Sequence, residues 1–191
     1  METKLDEARA KSRLKLVEEH IQCENSHDLD GILATFGPDA RYDDEPWGDR
    51  RVGRDGVRSY YAELLRALPD LAIEVRHRHL ASDSVVVEVT IRGTHLGPWR
   101  GLPATGRQLE FPLCGVFTFD AEGRLAGERI YYDRGAVLGQ LGLFHEPGRG
   151  WGRVVTALSH PVTIVRAYLR RPPAKATEPR PAHREAEEGT G

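Results

Sequence analysis

The sequence predicts an α+β domain in which helices pack on one face of a curved, mostly antiparallel sheet and leave a pocket between the layers. Three observations predict it. Segments with apolar residues at helical spacing crowd into the first third of the chain. Runs with two-residue alternation dominate the middle. The tetrapeptide Asp120-Ala121-Glu122-Gly123 joins the last two such runs as a hairpin turn.

Leu5 to Asn25 reads as the first helix, with Leu14, Val17 and Ile21 near one stripe, Cys23 or Glu24 close to it, and Lys15, Glu18 and Glu19 on the polar side. Asn25 to His27 breaks it, and Asp28 can cap a second short helix carrying Leu29, Ile32, Leu33 and Phe36. Gly37-Pro38-Asp39 is a turn. Ala40 to Trp47 is a strand entering a loop, because Glu45-Pro46-Trp47-Gly48-Asp49 cannot continue a ladder. Asp55 to Leu68 is the third helix, with Val57, Tyr60, Tyr61, Leu64, Leu65 and Leu68 in register, and Pro69 stops it. Strands follow: Leu71, Ile73 and Val75 alternate with polar residues, as do Val85, Val87, Val89 and Ile91, and Gln108 to Phe119 and Arg124 to Tyr132 complete the set. Extending the Leu71/Ile73/Val75 face in steps of two reaches His77 and His79, and places both imidazoles toward the pocket.

The 191 residues suffice for one domain plus a tail. We expect a domain over residues 1–145, a linker and basic amphipathic helix over 146–171, and a disordered tail over 172–191, rich in Pro, Ala, Glu and Arg. The amphipathic segment carries Val154, Val155, Leu158, Val162, Val165 and Leu169, with Pro161 dividing it and Arg153, Arg166, Arg170 and Arg171 flanking it. Packing on its own domain or on a dimer mate is favoured over contact with a membrane surface. A net charge of −2 gives no reason to expect nucleic acid as a partner. Two cysteines, Cys23 and Cys114, are neither a metal motif nor a disulfide framework. The charged first residues and the lack of a long apolar run lead us to expect a soluble, cytoplasmic protein.

Phosphate-binding, dinucleotide-binding, zinc-protease and serine-hydrolase signatures are absent from the sequence. His77-Arg78-His79 is a short H-x-H whose metal reading would need a third ligand from Asp43, Asp44, Glu45 or Asp133, so no metal is expected. Asp44 shares a strand face with Tyr42, and a carboxylate there could act as a base if desolvated, or could line the loop rim paired with Arg50, Arg51 or Arg54. Asp133 follows Tyr131-Tyr132 where the last strand gives way to a helix. It could serve in acid/base chemistry or cap the helix from Arg134 to Leu143.

The loop Gly93-Thr94-His95-Leu96-Gly97-Pro98-Trp99, its continuation Gly101-Leu102-Pro103-Ala104-Thr105-Gly106-Arg107 and the ending Asp133…Gln140-Leu141-Gly142 resemble the SnoaL-like polyketide cyclases, over roughly Leu14 to Phe144. These belong to the nuclear-transport-factor-2-like (NTF2-like) superfamily of cone-shaped α+β barrels. The resemblance implies a cofactor-independent aldol-type cyclisation or isomerisation of a small apolar or polycyclic carbonyl compound, and a homodimer, here through the sheet face with Glu88, Thr90 and Arg92. It further implies Asp133 as the acid/base residue and matches His95 to the histidine of the loop motif. The residues themselves add His79 as a further catalytic donor, with Tyr42, Asp44, Trp47, Trp99, Phe117 and Tyr131 around the substrate. Where the family often carries a further acidic residue three positions before Asp133, this chain has Ile130. The two aspartates bridged by an arginine of limonene-epoxide hydrolases are not evident in the sequence, nor does the first helix supply the tyrosine of ketosteroid isomerases.

Overall fold

The computed structural model describes residues 7–145 and 150–169. The tail expected over 172–191, residues 146–149 and the pair Arg170 and Arg171 lie outside the described residues. By its internal contacts the chain divides into two compact units, Met1–Glu146 and Pro147–Gly191.

The first unit is α+β, in the order α1 (Glu7–Asn25), α2 (Leu29–Thr35), β1 (Phe36–Asp44), β2 (Asp49–Val52), α3 (Gly53–Ala67), β3 (Ala72–Leu80), β4 (Ser84–Thr94), β5 (Gln108–Phe119), β6 (Leu125–Tyr132) and α4 (Arg134–Gln140). Helix α1 ends where His27 adopts a positive φ of 58° and Asp28 N–H reaches back to Cys23 O at 2.9 Å. Asp28 then caps α2 by accepting from Gly31 N–H. That tight exchange of helices is why the chain turns sharply without a long loop.

The six strands form one sheet in the order β2-β1-β6-β5-β4-β3. Two features were not expected. Asp49–Val52 forms a short strand antiparallel to β1, so the Glu45–Gly48 turn closes a hairpin instead of opening a loop. Strand β1 also lies parallel to β6, while every other pairing is antiparallel. Parallel pairing with a strand nearly ninety residues away leaves no local turn signal.

The sheet face covered by α1 and α3 holds Val85, Val87, Val89 and Ile91 from β4 and Leu109, Phe111 and Phe117 from β5, all buried. A shift of register between Val75 and His77 of β3 overturns the expectation that the histidines share this face. Past the bulge His77 pairs with Glu88 and His79 with Val86, which puts both rings on the outer side. A single extra residue inverts the alternation beyond it.

The second unit contains α5 (Trp151–Ser159) and α6 (Pro161–Leu169). Pro161 starts the second helix, where a missing N–H costs nothing, so the expected division occurs there. No described helix is long and apolar enough to cross a membrane.

Candidate functional site

Between α1, α3 and the covered face of the sheet lies a cavity of about 50 Å³ that is open to solvent at one side. Its wall is mostly aliphatic and aromatic; Tyr42, Tyr60, Tyr132, Glu24 and Glu128 bring the polar groups. Two polar clusters stand behind these residues.

The inner cluster comprises His20 and Glu24 of α1, Tyr61 of α3 and Glu128 of β6, all buried. Thr35 Oγ1 gives its one proton to Ile32 O at 2.6 Å, so it accepts from His20 Nδ1–H at 2.8 Å. His20 Nε2 therefore faces the acids: Tyr61 OH at 3.0 Å, Glu128 Oε2 at 3.3 Å and Glu24 Oε2 at 3.8 Å. Tyr61 donates to Glu128 Oε2 at 2.7 Å. Burial alone would lower the pKa of His20, but Glu24 and Glu128 outweigh it and raise the value. Burial raises the Glu24 carboxyl to about 7, with His20 pulling it down and Glu128 pushing it up. His20, Glu24 and Glu128 also offer one ligand atom each within 4.8 Å of one another, the type and spacing that could hold a metal ion.

The outer cluster centres on Asp44 at the end of β1, whose side chain is fully buried. Arg100 Nη2 reaches Asp44 Oδ2 at 2.7 Å, while Arg100 Nη1 donates to Asp49. Tyr60 and Tyr132, both in the cavity wall, donate to the same Asp44 oxygen at 3.2 and 3.4 Å. Burial raises the Asp44 pKa against the pull of Arg100. Arg100 can reach both aspartates because it sits at a positive φ of 53° beside Gly101 at 77°, in the short turn closed by Trp99 and Leu102. Two aspartates bridged by an arginine, not evident in the sequence, are thus assembled by the fold. Arg100→Met is expected to destabilise the protein by about 3–5 kcal/mol, since it leaves a buried carboxylate unpaired. Chemical denaturation of the single variant and of the Asp44→Asn/Arg100→Met double variant checks this, the second recovering part of the loss.

Of the residues expected around a site, Tyr42, Trp99 and Phe117 do line the cavity. Asp44 stands behind Tyr60 and Tyr132, and Trp47 packs 5.7 Å from Trp99 beneath Arg100 and Arg134. His95 is buried, with Nδ1 on Thr105 and its ring 6.3 Å from Trp99, and burial lowers its pKa. Three expectations need correction in placement. Asp133 is exposed and caps α4, accepting from Ala136 N–H at 3.1 Å, because the strand has ended and its side chain no longer follows the pleat. His79 is exposed and bonds Glu88 at 3.1 Å, a consequence of the β3 bulge. Tyr131 points outward, and strand alternation gives the cavity Tyr132 instead. Asp133→Ala is expected to cost about 1 kcal/mol, the usual loss of a cap, measured as a shifted urea midpoint.

The residues that sequence reasoning missed are His20, Tyr61, Glu128 and Arg100; Glu24 was noticed only as a stripe neighbour. A signal existed for some. His20 and Glu24 lie four apart on the Val17/Ile21 side of an amphipathic helix, where a polar pair is out of place. Glu128 alternates with Ile130 and Tyr132 on one face of β6. Arg100 had no such signal.

Residues 15–141 match the family described as SnoaL-like polyketide cyclase. Among solved structures, AclR of Streptomyces galilaeus, proposed to be a hydroxylase, is 25% identical over 71% of this chain and 99% of its own, with a TM-score of 0.62. SalBIII, an epoxide hydrolase/cyclase-like enzyme in pyran ring formation in the polyether salinomycin, is 25% identical over 65% of this chain and 92% of its own, with a TM-score of 0.57. A proposed SnoaL-like polyketide cyclase from Jannaschia sp. CCS1 shares the fold at a TM-score of 0.66, with 21% identity over 73% of this chain and 97% of its own.

Proposed function

Because this chain belongs to the SnoaL-like polyketide cyclases, we propose that it closes or isomerises the ring of an apolar carbonyl compound by acid/base catalysis in its pocket, with Glu24 as the group that moves the proton. One observation carries this reading. Glu24 is a buried carboxyl in the wall of an apolar cavity with a pKa of about 7. A base at that value is half ionised near neutrality and can both take a proton and return it.

Ring closure of the aldol type takes a proton from the carbon next to a carbonyl and stabilises the enolate oxygen. The enolate carbon then adds to a second carbonyl of the same substrate, whose π bond opens to an alkoxide that takes the proton back. Glu24 accepts that proton. His20 attracts the carboxylate from 3.8 Å and Glu128 repels it, and together they set its proton affinity, acting through it. Tyr42 is the neutral donor for the enolate. It lines the same wall, and burial together with the Glu128 carboxylate keeps its phenol protonated, well above the usual phenol pKa. The step is a proton transfer with no change of oxidation state, so it requires no redox cofactor. The aliphatic and aromatic wall suits a flat hydrocarbon skeleton. A homodimer through the outer sheet face, with Glu88, Thr90 and Arg92, belongs to the same proposal.

Cyclohexanone and 2-tetralone are incubated with the protein in heavy water, and deuterium uptake next to the carbonyl is followed by proton NMR. Uptake above the buffer rate that climbs as pH passes through about 7, when Glu24 ionises, supports the proposal. A second reading, a pocket that binds such compounds without reacting, is favoured by Ile130, buried in the cavity wall where the family resemblance places an acidic residue. Saturable binding of both ketones with no uptake at any pH decides for it.

A further inference from the structure

The second unit carries a surface that the pocket chemistry does not use. In α5, Trp151, Val154, Val155 and Leu158 fall at i, i+3, i+4 and i+7, one face of the helix, and Trp151 and Leu158 are 78% and 77% exposed. In α6, Val162, Val165 and Leu169 form a second such stripe, with Leu169 81% exposed. Arg153 lies on the side of α5 opposite its stripe, and Arg166 lies at the border of the stripe on α6, within reach of a polar boundary while its stem stays beside the apolar residues. The charge is one-sided over a much longer stretch. From Pro147 to Thr177 the sequence has no aspartate or glutamate, but it has Arg149, Arg153, Arg166, Arg170, Arg171 and Lys175. The whole chain, by contrast, is net negative.

We propose that α5 and α6 form a docking surface for an anionic lipid bilayer, on which they lie with their apolar stripes in the headgroup boundary. Two features together select this occupant. An exposed stripe rich in tryptophan, leucine and valine favours an apolar boundary of any kind. A cationic segment with no acidic residue favours a boundary of negative charge, and each added cation strengthens attraction to acidic headgroups. A second copy of this segment carries the same sign of charge and offers no acidic residue between Pro147 and Thr177 to complement it, so self-association would gain no electrostatic attraction. Neither helix is long enough to span, so the contact is in the plane of the surface. The inference does not depend on the chemistry of the pocket.

Co-sedimentation of the full-length chain with vesicles tests it, using pure phosphatidylcholine against equimolar phosphatidylcholine and phosphatidylglycerol. About tenfold or greater enrichment on the acidic vesicles is expected, falling as salt is raised. The Leu158→Glu/Leu169→Glu variant, altered only at exposed positions, is expected to lose the enrichment. Equal partitioning on the two vesicle types overturns the proposal, and so does full binding by that variant. Light scattering on the parent and the variant covers the other occupant: a dimer in the parent that becomes a monomer in the variant assigns the stripes to a second copy and equally overturns it.

Discussion

Glu24→Gln is expected to lower the deuterium uptake of cyclohexanone and 2-tetralone by about a hundredfold or more, the usual loss on removing a positioned general base, while the protein stays folded. Glutamine keeps the size of the side chain and cannot accept the proton, so packing against Ile21 and the cavity is preserved while the chemistry is not. Stability supplies an independent readout of the same group. In the unfolded chain Glu24 titrates near the ordinary 4.5, and in the fold it titrates at about 7. Between those values the native state holds a proton that the unfolded chain has released, so stability falls as pH rises through that window and levels off above it. Glu24→Gln removes this dependence. At pH 8 it is therefore expected to stabilise the protein by on the order of 1–3 kcal/mol, the lower end arising because His20 loses one of the carboxylates that raise its pKa. Denaturant melts of parent and variant at pH 5 and pH 8 measure it. Equal stability differences at the two pH values would show that Glu24 is an ordinary carboxylate and would remove the basis of the catalytic proposal. Lost stability on substitution with no loss of exchange would instead make the residue purely structural.

Gly97→Ala carries the second large effect, on the loop that brings Arg100 to Asp44. A β-carbon at position 97 would stand 2.2 Å from Arg66 O and 2.9 Å from Arg66 C. Both are backbone atoms at the end of α3, and they are held there because Leu96 and Gly97 donate their N–H groups to Ala67 O at 2.9 and 3.2 Å. Neither partner can swing aside as a flexible side chain could. The loop must lift away from the helix, loosening the burial of His95 and Trp99 and displacing Arg100. A loss of about 3 kcal/mol or more is expected, in the range of overpacked sites with added loss of backbone hydrogen bonds. Thermal unfolding gives the magnitude. Proton NMR of the indole N–H groups shows whether Trp99 has moved, and an unshifted Trp99 signal with a small stability change would refute the close-packing account.

The loop is a place where sequence and structure agree for a physical reason. Its glycine, histidine and tryptophan carried the family resemblance, and the close approach of Gly97 to α3 explains why a residue without a side chain stands there. Asp133 shows how one residue type supports two meanings. An aspartate at a strand end before a helix fits a base or a cap equally well, and only the direction of its carboxyl, toward Ala136 N–H, separates them. His79 failed differently, because extrapolating a face along β3 assumes unbroken register and a bulge gives no reliable mark in the amino-acid pattern.

What the sequence determined by itself was local. Helical spacing, two-residue alternation and turn chemistry place α1, α3, β4, β5 and β6, because those patterns reflect which face of each element is to be buried. The loop and ending motifs add the family. What only the tertiary structure decided was which polar residues meet. His20 and Glu24 come from the first helix, Tyr61 from the third and Glu128 from the last strand, while Asp44 and Arg100 are fifty-six residues apart. Their juxtaposition depends on the parallel pairing of β1 with β6 and on the packing of α1 and α3 over the sheet. Those long-range contacts set the burial that moves Glu24 to about 7, and a pKa moved by burial is a property of the assembled cavity, not of the residue or its neighbours in the chain.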